Sequence, residues 1–208
     1  MVRARLGCAV ALCLLTGCTP ASTWTPTPIQ VITPTPAQRP TSPSPSASGT
    51  TTTLRIPDTD GAIDADAFPA ADFASPSGRI WCSIGSDHAL CHFPSGMDRG
   101  DVPEPATVCP GEDLDVTGVT VGTAAGSFFC SGGAEALPQT NGENVGWWKG
   151  TGLPKVHIDH QSLAVLPYGR KLVRGDYVCL SAKTGVTCGN TATGRGFRVA
   201  LAGVTLIG

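Results

Sequence analysis

Charge is scarce in this chain. Asp, Glu, Lys and Arg make up 14% of its 208 residues, and the net charge is −2. So small an imbalance gives no chain-wide field that would draw in nucleic acid, and no nucleic-acid partner is expected. A long 3.6-residue apolar periodicity is also absent, which excludes a helical bundle. The cysteines form no C-x-x-C pair and no close Cys/His set, so no zinc site is expected. Ser127, Ser162 and Ser181 all lack the G-x-S-x-G context of a nucleophile elbow. No cofactor is expected.

What is present begins with an odd count. There are nine cysteines, so complete pairing must leave one over. Arg3 and Arg5 precede an almost wholly apolar run of ten residues at 6–15, LGCAVALCLL. Such a run covers about 15 Å of helix, roughly half a bilayer core, which suits a secretory signal and not a membrane span. It ends in Leu15-Thr16-Gly17-Cys18, which resembles the bacterial lipobox: an aliphatic residue, two small residues, then Cys. The resemblance implies cleavage after residue 17, a diacylglyceryl group on Cys18 and acylation of the new N-terminus. Cys8 and Cys13 then leave with the signal and Cys18 carries lipid. Six cysteines remain to pair. Two or more acyl chains, at about 0.8 kcal/mol per buried CH₂, anchor a protein stably. The expected location is the outer face of the cytoplasmic membrane, with the protein reaching into the cell wall.

Residues 19–53 are mostly Thr, Pro and Ser, and Arg39 is their only charge. Repeated Thr-Pro and Ser-Pro steps fix φ and remove backbone donors, which leaves an extended tether from Cys18 to residue 53. In polyproline II such a tether reaches on the order of 100 Å. Tracts of this composition are also O-glycosylation acceptors.

The remainder, an acidic lead-in at 54–72 and a domain at 73–208, amounts to one folding unit. Short alternating runs separated by turn residues predict a mostly β fold of eight to ten strands. The runs are 79–84, 89–93, 113–121, 126–130, 155–158, 162–166, 176–181, 185–190 and 196–207. Gly118 and Gly203 interrupt the alternation as β-bulges would. The expected architecture is a small antiparallel domain of short hairpins, sandwich-like or barrel-like, stapled by disulfides.

The cysteine spacing sets the hairpins. Cys82 and Cys91 have eight residues between them, and so do Cys179 and Cys188. In an antiparallel hairpin Cys82 faces Cys91, Ser83 faces Leu90 and Ile84 faces Ala89 around a loop at 85–88. Cys179 likewise faces Cys188, Leu180 faces Thr187 and Ser181 faces Val186 around 182–185. Facing cysteines in a non-hydrogen-bonded pair lie about 4.5 Å apart at Cα, within disulfide reach. Fifteen connectivities exist for six cysteines. Local geometry selects Cys82–Cys91 and Cys179–Cys188, and Cys109–Cys130 is the pair left. Chain entropy assigns roughly 2.7 kcal/mol to each short bridge and 3.4 to the longer one.

Two blocks resemble a known family. They are Phe73-Ala74-Ser75-Pro76-Ser77-Gly78-Arg79-Ile80-Trp81-Cys82 with Ala89-Leu90-Cys91, and Leu166-Pro167-Tyr168-Gly169-Arg170 with Cys179, Gly185-Val186-Thr187-Cys188-Gly189-Asn190 and Thr193-Gly194-Arg195-Gly196-Phe197. They look like the opening and closing motifs of small secreted proteins and lipoproteins of mycobacteria and related actinobacteria. Arg79 stands where that pattern has Asn, Arg195 where it has His, and segment 131–164 is longer and different. The resemblance implies the folding unit, its bridges and its export. It supplies no activity.

Several constellations are candidates for chemistry. Charge is segregated: residues 54–145 hold fourteen carboxylates against three arginines, and 146–208 hold Asp159 and Asp176 against eight Lys/Arg. Either the two halves meet with opposite fields, or a basic face awaits an anionic envelope polymer. Asp58, Asp60, Asp64 and Asp66 alternate around Gly61 as weak calcium ligands, although the EF-hand pattern fails for want of a twelfth-position Glu. In a strand, His157 and Asp159 share a face while His160 points away. Arg174-Gly175-Asp176 is accounted for by turn chemistry. Trp147 and Trp148, flanked by Gly146 and Gly150, offer faces for a sugar or a partner, or one of them fills the core.

The sequence therefore leads to a lipid-anchored envelope protein whose β domain binds an envelope glycan or envelope protein. A hydrolase acting on envelope material and an accessory subunit of an envelope complex are the alternatives.

Overall fold

The computed structural model describes residues 53–208. Cys18, the signal segment 1–17 and the tether up to residue 52 lie outside the described residues. Strands β1 (Ile63–Asp64) to β4 (Ala89–His92) include β2 (Ala71–Ala74) and β3 (Trp81–Ile84); β5 (Val116–Val121) and β6 (Ser127–Cys130) follow. After them come β7 (Lys155–Ile158), β8 (Gln161–Ala164), β9 (Lys171–Arg174), β10 (Tyr177–Ala182), β11 (Gly185–Asn190), β12 (Arg195–Ala200) and β13 (Gly203–Ile207). Among the described residues two short helical turns interrupt them, Pro105–Val108 and Gly146–Trp148.

Both cysteine hairpins form in the register that their spacing predicts. Cys82 faces Cys91 across β3–β4, and Cys179 faces Cys188 across β10–β11. Each pair is bridged with Cα atoms 4.1 Å apart. Cys109–Cys130 is the third bridge and ties the Pro105–Val108 turn to β6.

These hairpins seed two sheets. One is five-stranded, ordered β2-β3-β4-β5-β6; the other is six-stranded, ordered β1-β9-β10-β11-β12-β13. All neighbours are antiparallel except β1 and β9. A row of facing residues crosses the first sheet: Phe73, Cys82, Cys91, Val119 and Phe128. A matching row crosses the second: Leu172, Cys179, Cys188 and Phe197. Alternation turns both rows to the same side of their sheets, and the two sheets close on one another as a sandwich. Cys91 Sγ lies 3.8 Å from Cys188 Sγ at its centre. All four of these sulfur-bearing residues are fully buried, among Phe73, Ile84, Leu172, Val186 and Phe197. The ribbon β7–β8 forms a small third sheet, joined to the end of β2 by an Ala74–Val165 bridge.

The lead-in is built into the sandwich. β1 adds a parallel strand beside β9, Asp58 pairs with Lys171, and Arg174 Nε donates to Phe68 O at 2.7 Å. Ile56 rests on the outer face of the six-stranded sheet where Gly189 faces Gly196. A Cβ at Gly189 would stand 2.2 Å from Ile56 Cγ2, so only a glycine leaves that notch open. The acidic lead-in thus meets the basic second half directly.

Four expectations need correction. The described residues form thirteen strands where eight to ten were expected, and the loop expected at 182–185 is a two-residue turn at Lys183-Thr184, because Ala182 pairs with Gly185. Residues 196–207 form not one strand but the hairpin β12–β13, which turns at Leu201-Ala202, and Gly203 with φ +116° opens β13 instead of bulging. Gly118 does mark a bulge, with the register of β5–β6 shifting between Val116 and Gly118.

Candidate functional site

The residues singled out in the sequence do not share one place. Trp147 is 3% exposed and donates its indole N–H to Asp72 O at 3.0 Å, which makes it a core plug. Gly146 lies against the Phe68 ring, which seats this turn on the sandwich. Trp148 is half-buried, with its indole N–H on Pro154 O. Trp147 therefore leaves no open face for a sugar, whereas Trp148 keeps part of its surface exposed. Beside Trp147, burial pushes the Asp72 carboxyl up, and its Oδ1 finds no partner among the described residues.

The four lead-in carboxylates do not converge. Asp58 and Asp64 each accept a backbone N–H two residues on, and Asp66 accepts Gly175 N–H. The hydrogen bond from Lys171 lowers the Asp58 pKa. Among the described residues, the sole group of three ligand atoms within 4.8 Å is Cys82, Cys91 and Cys188, whose sulfurs are already in disulfides.

Asp159 is not on a strand with His157. Asp159 and His160 are the two turn residues of β7–β8, at φ +44° and +69°. His157 instead faces Ser162 across the ribbon, and its Nδ1 is 3.0 Å from Ser162 Oγ. A Ser–His pair can activate an oxygen nucleophile, but no carboxylate orients this imidazole among the described residues.

The turn between β2 and β3 organises the more developed site. Ser75 N–H donates to Ile80 O, and Gly78 N–H returns to Ser75 O. The Ser75 and Ser77 hydroxyls lie 3.0 Å apart. Gly78 has φ +71°, and a Cβ there would stand 2.7 Å from Ile158 Cγ1. Trp81 locks the turn from the strand side, its indole N–H on Gly78 O at 2.7 Å. The result is a fixed ridge with an exposed Arg79 on it.

A cleft opens on either side of this ridge, and Ser77, Arg79 and Pro94 belong to both. The smaller, of about 640 Å³, is basic: Arg79, Lys183 and Arg198 line it, Tyr168 and Leu201 form its lip, and no carboxylate lines it. Lys183 sits on the two-residue turn between β10 and β11. Arg198 Nε and Nη2 both donate to Thr184 O, which aims the guanidinium and leaves its Nη1 for a ligand. Among the described residues none of the three cations pairs with a carboxylate. Ser75, Ser77 and Ile80 from the β2–β3 turn and Gly185 from the start of β11 also line this cleft.

The larger cleft, of about 990 Å³, includes Trp81, His92, Phe93, Arg99, Thr117 and Asp159. Trp81 and His92 adjoin the inward cysteines, so alternation turns them outward. Phe129 lies over Gly118, which has no Cβ to block it, and meets His92 edge-on at 5.5 Å. Arg99 stands 5.5 Å over the Phe93 ring.

His92 Nε2 accepts the N–H of Glu135 at 2.7 Å and of Ala136 at 3.2 Å, so this nitrogen carries no proton. Burial lowers the His92 pKa below its ordinary 6.5, against the pull of Glu135. A histidine with a depressed folded pKa gives stability that is intact above 6.5 and falls as pH drops toward the folded value. An NMR titration is expected to place the His92 midpoint below 6.5, with the Glu135 and Ala136 amides moving at the same midpoint. A midpoint at or above 6.5 with silent amides would refute that lock.

No protein-family model, curated protein or solved structure matches this chain.

Proposed function

We propose that this chain is a lipid-anchored protein of the cell envelope whose β-sandwich binds an anionic component of the envelope. The observation that carries the binding half is the basic cleft: three cations from the β2–β3 turn, the β10–β11 turn and β12 converge without a carboxylate among its lining residues. Cations left unpaired in a concave site attract an anion more strongly than scattered surface lysines, because the low-dielectric walls focus their field. Export is supported by the lipobox at Leu15-Thr16-Gly17-Cys18 and by three bridges of a kind that persists in oxidising compartments. The tether then lets the domain search for polymer beyond the membrane surface.

The test is titration of the oxidised full-length chain, in detergent micelles, with inorganic pyrophosphate followed by NMR. Saturable shifts are expected at Lys183, Arg198 and Arg79, weakening as salt is added. Lys183→Gln is expected to weaken binding about tenfold. No hydrogen bond of the Lys183 side chain is recorded among the described residues, so the fold should tolerate the change. Absence of saturable shifts would sink the reading.

A hydrolase reading has one observation in its favour, the His157–Ser162 pair. It predicts an envelope-degrading activity that Ser162→Ala abolishes.

A further inference from the structure

We infer that the two clefts form one continuous site, and that its ligand is an anionic glycan rather than a free anion or a lipid headgroup. This rests on the reading of the basic cleft as an anion site. The clefts meet at Arg79, Ser77 and Pro94, so a ligand held in the smaller one passes over the ridge into the larger.

The two compartments differ in chemistry. The smaller offers cations, and the larger offers what a sugar ring uses: an aromatic side chain, hydroxyls and a carboxylate acceptor. Trp81 lines it half-buried, with its ring pinned by the bond to Gly78 O, so little freedom is lost on stacking. Phe93 is less suited, because Arg99 already covers its ring. Asp159 stands on an exposed turn at the rim, and Ser95 adds an exposed hydroxyl to the lining. A phosphate or a headgroup would fill the basic cleft and leave these groups idle. An oligosaccharide with acidic groups spans both compartments.

The experiment compares three probes on the oxidised full-length chain in micelles. They are a galacturonic acid hexamer, inorganic pyrophosphate, and vesicles containing phosphatidylglycerol. The hexamer is expected to bind about tenfold or more tighter than pyrophosphate, and Trp81→Ala to weaken the hexamer well beyond any loss for pyrophosphate, since the same indole also holds the turn that carries Arg79. Asp159→Asn, on a positive-φ turn that Asn tolerates, is expected to weaken only the hexamer. Neutral maltohexaose is expected not to bind. If pyrophosphate binds but the hexamer gains nothing over it, the extended site is refuted and the basic cleft stands. Vesicles that displace the hexamer would refute the glycan assignment in favour of a headgroup. If neither soluble probe binds, the basic-cleft reading itself falls.

Discussion

A single Cys82→Ala substitution is expected to yield a protein whose free thiol is Cys179, not Cys91. Removing Cys82 releases Cys91 inside the core, 3.8 Å from Cys188 Sγ. As a thiolate, Cys91 attacks Cys188 Sγ. The Cys91–Cys188 bond forms, the Cys179–Cys188 bond breaks, and Cys179 leaves as a thiolate that takes up a proton. The number of disulfides is unchanged, so no oxidant is consumed. An apolar core raises thiol pKa, so exchange belongs to the folding stage, while water still reaches the sulfurs. The product cross-links the two sheets across a separation of 97 residues, where the lost bridge spanned 9. Chain entropy assigns about 4.7 kcal/mol to so long a loop against about 2.7 for the short one. The single variant should therefore outlast the pair variant Cys82→Ala/Cys91→Ala, which keeps Cys179–Cys188 and loses about 2–3 kcal/mol. Alkylation after unfolding without reduction, followed by peptide mass mapping, reads the result. A free thiol at Cys91 with Cys179–Cys188 intact would show that the stacked pair does not exchange.

The same cysteines explain how much of the fold was legible. A bridge between facing strand residues fixes register, and the two-residue period then fixes which neighbours point inward. That is why both hairpins, their facing pairs and their two bridges could be read from spacing, with Cys109–Cys130 following as the pair left over. Three strands escaped because they lack alternation. All four residues of β2 are buried, Asp72 included, and the buried Trp147 donates its indole N–H to Asp72 O. β9 carries a cation at each end, and β1 is two residues long. The β12–β13 turn was hidden because Leu201-Ala202 is apolar, although Leu201 is 46% exposed. The site was legible in part. Segregated charge pointed to a basic face somewhere in 146–208 without picking out Lys183 and Arg198 among its eight cations, and Arg79 lies in the acidic half and joins them only through sheet packing. Trp81 carried a usable signal: it adjoins an inward cysteine and must face out. The Trp147-Trp148 pair has no such neighbour, and tertiary contact with Phe68 and Asp72 decided its fate.

Arg79→Glu is expected to abolish binding of both pyrophosphate and the galacturonate hexamer, by 100-fold or more. Arg79 is the one charged residue common to the two clefts. A hydrogen bond to a charged group contributes about 1.5–3 kcal/mol, and reversal adds repulsion to that loss. Stability should hardly change: the Arg79 side chain is exposed and has no recorded hydrogen bond or ion pair among the described residues, and the turn that carries it is held by Ser75, Gly78 and Trp81. The contrast with the other variants gives the prediction its force. Lys183→Gln should weaken every anion, and Trp81→Ala should weaken the glycan more than pyrophosphate. Arg79→Glu alone should erase both at an unchanged melting temperature. Calorimetric titration beside a thermal melt reads all three. If Arg79→Glu left hexamer binding intact while Trp81→Ala removed it, the ligand would sit wholly in the aromatic cleft and the ridge would play no part in holding it.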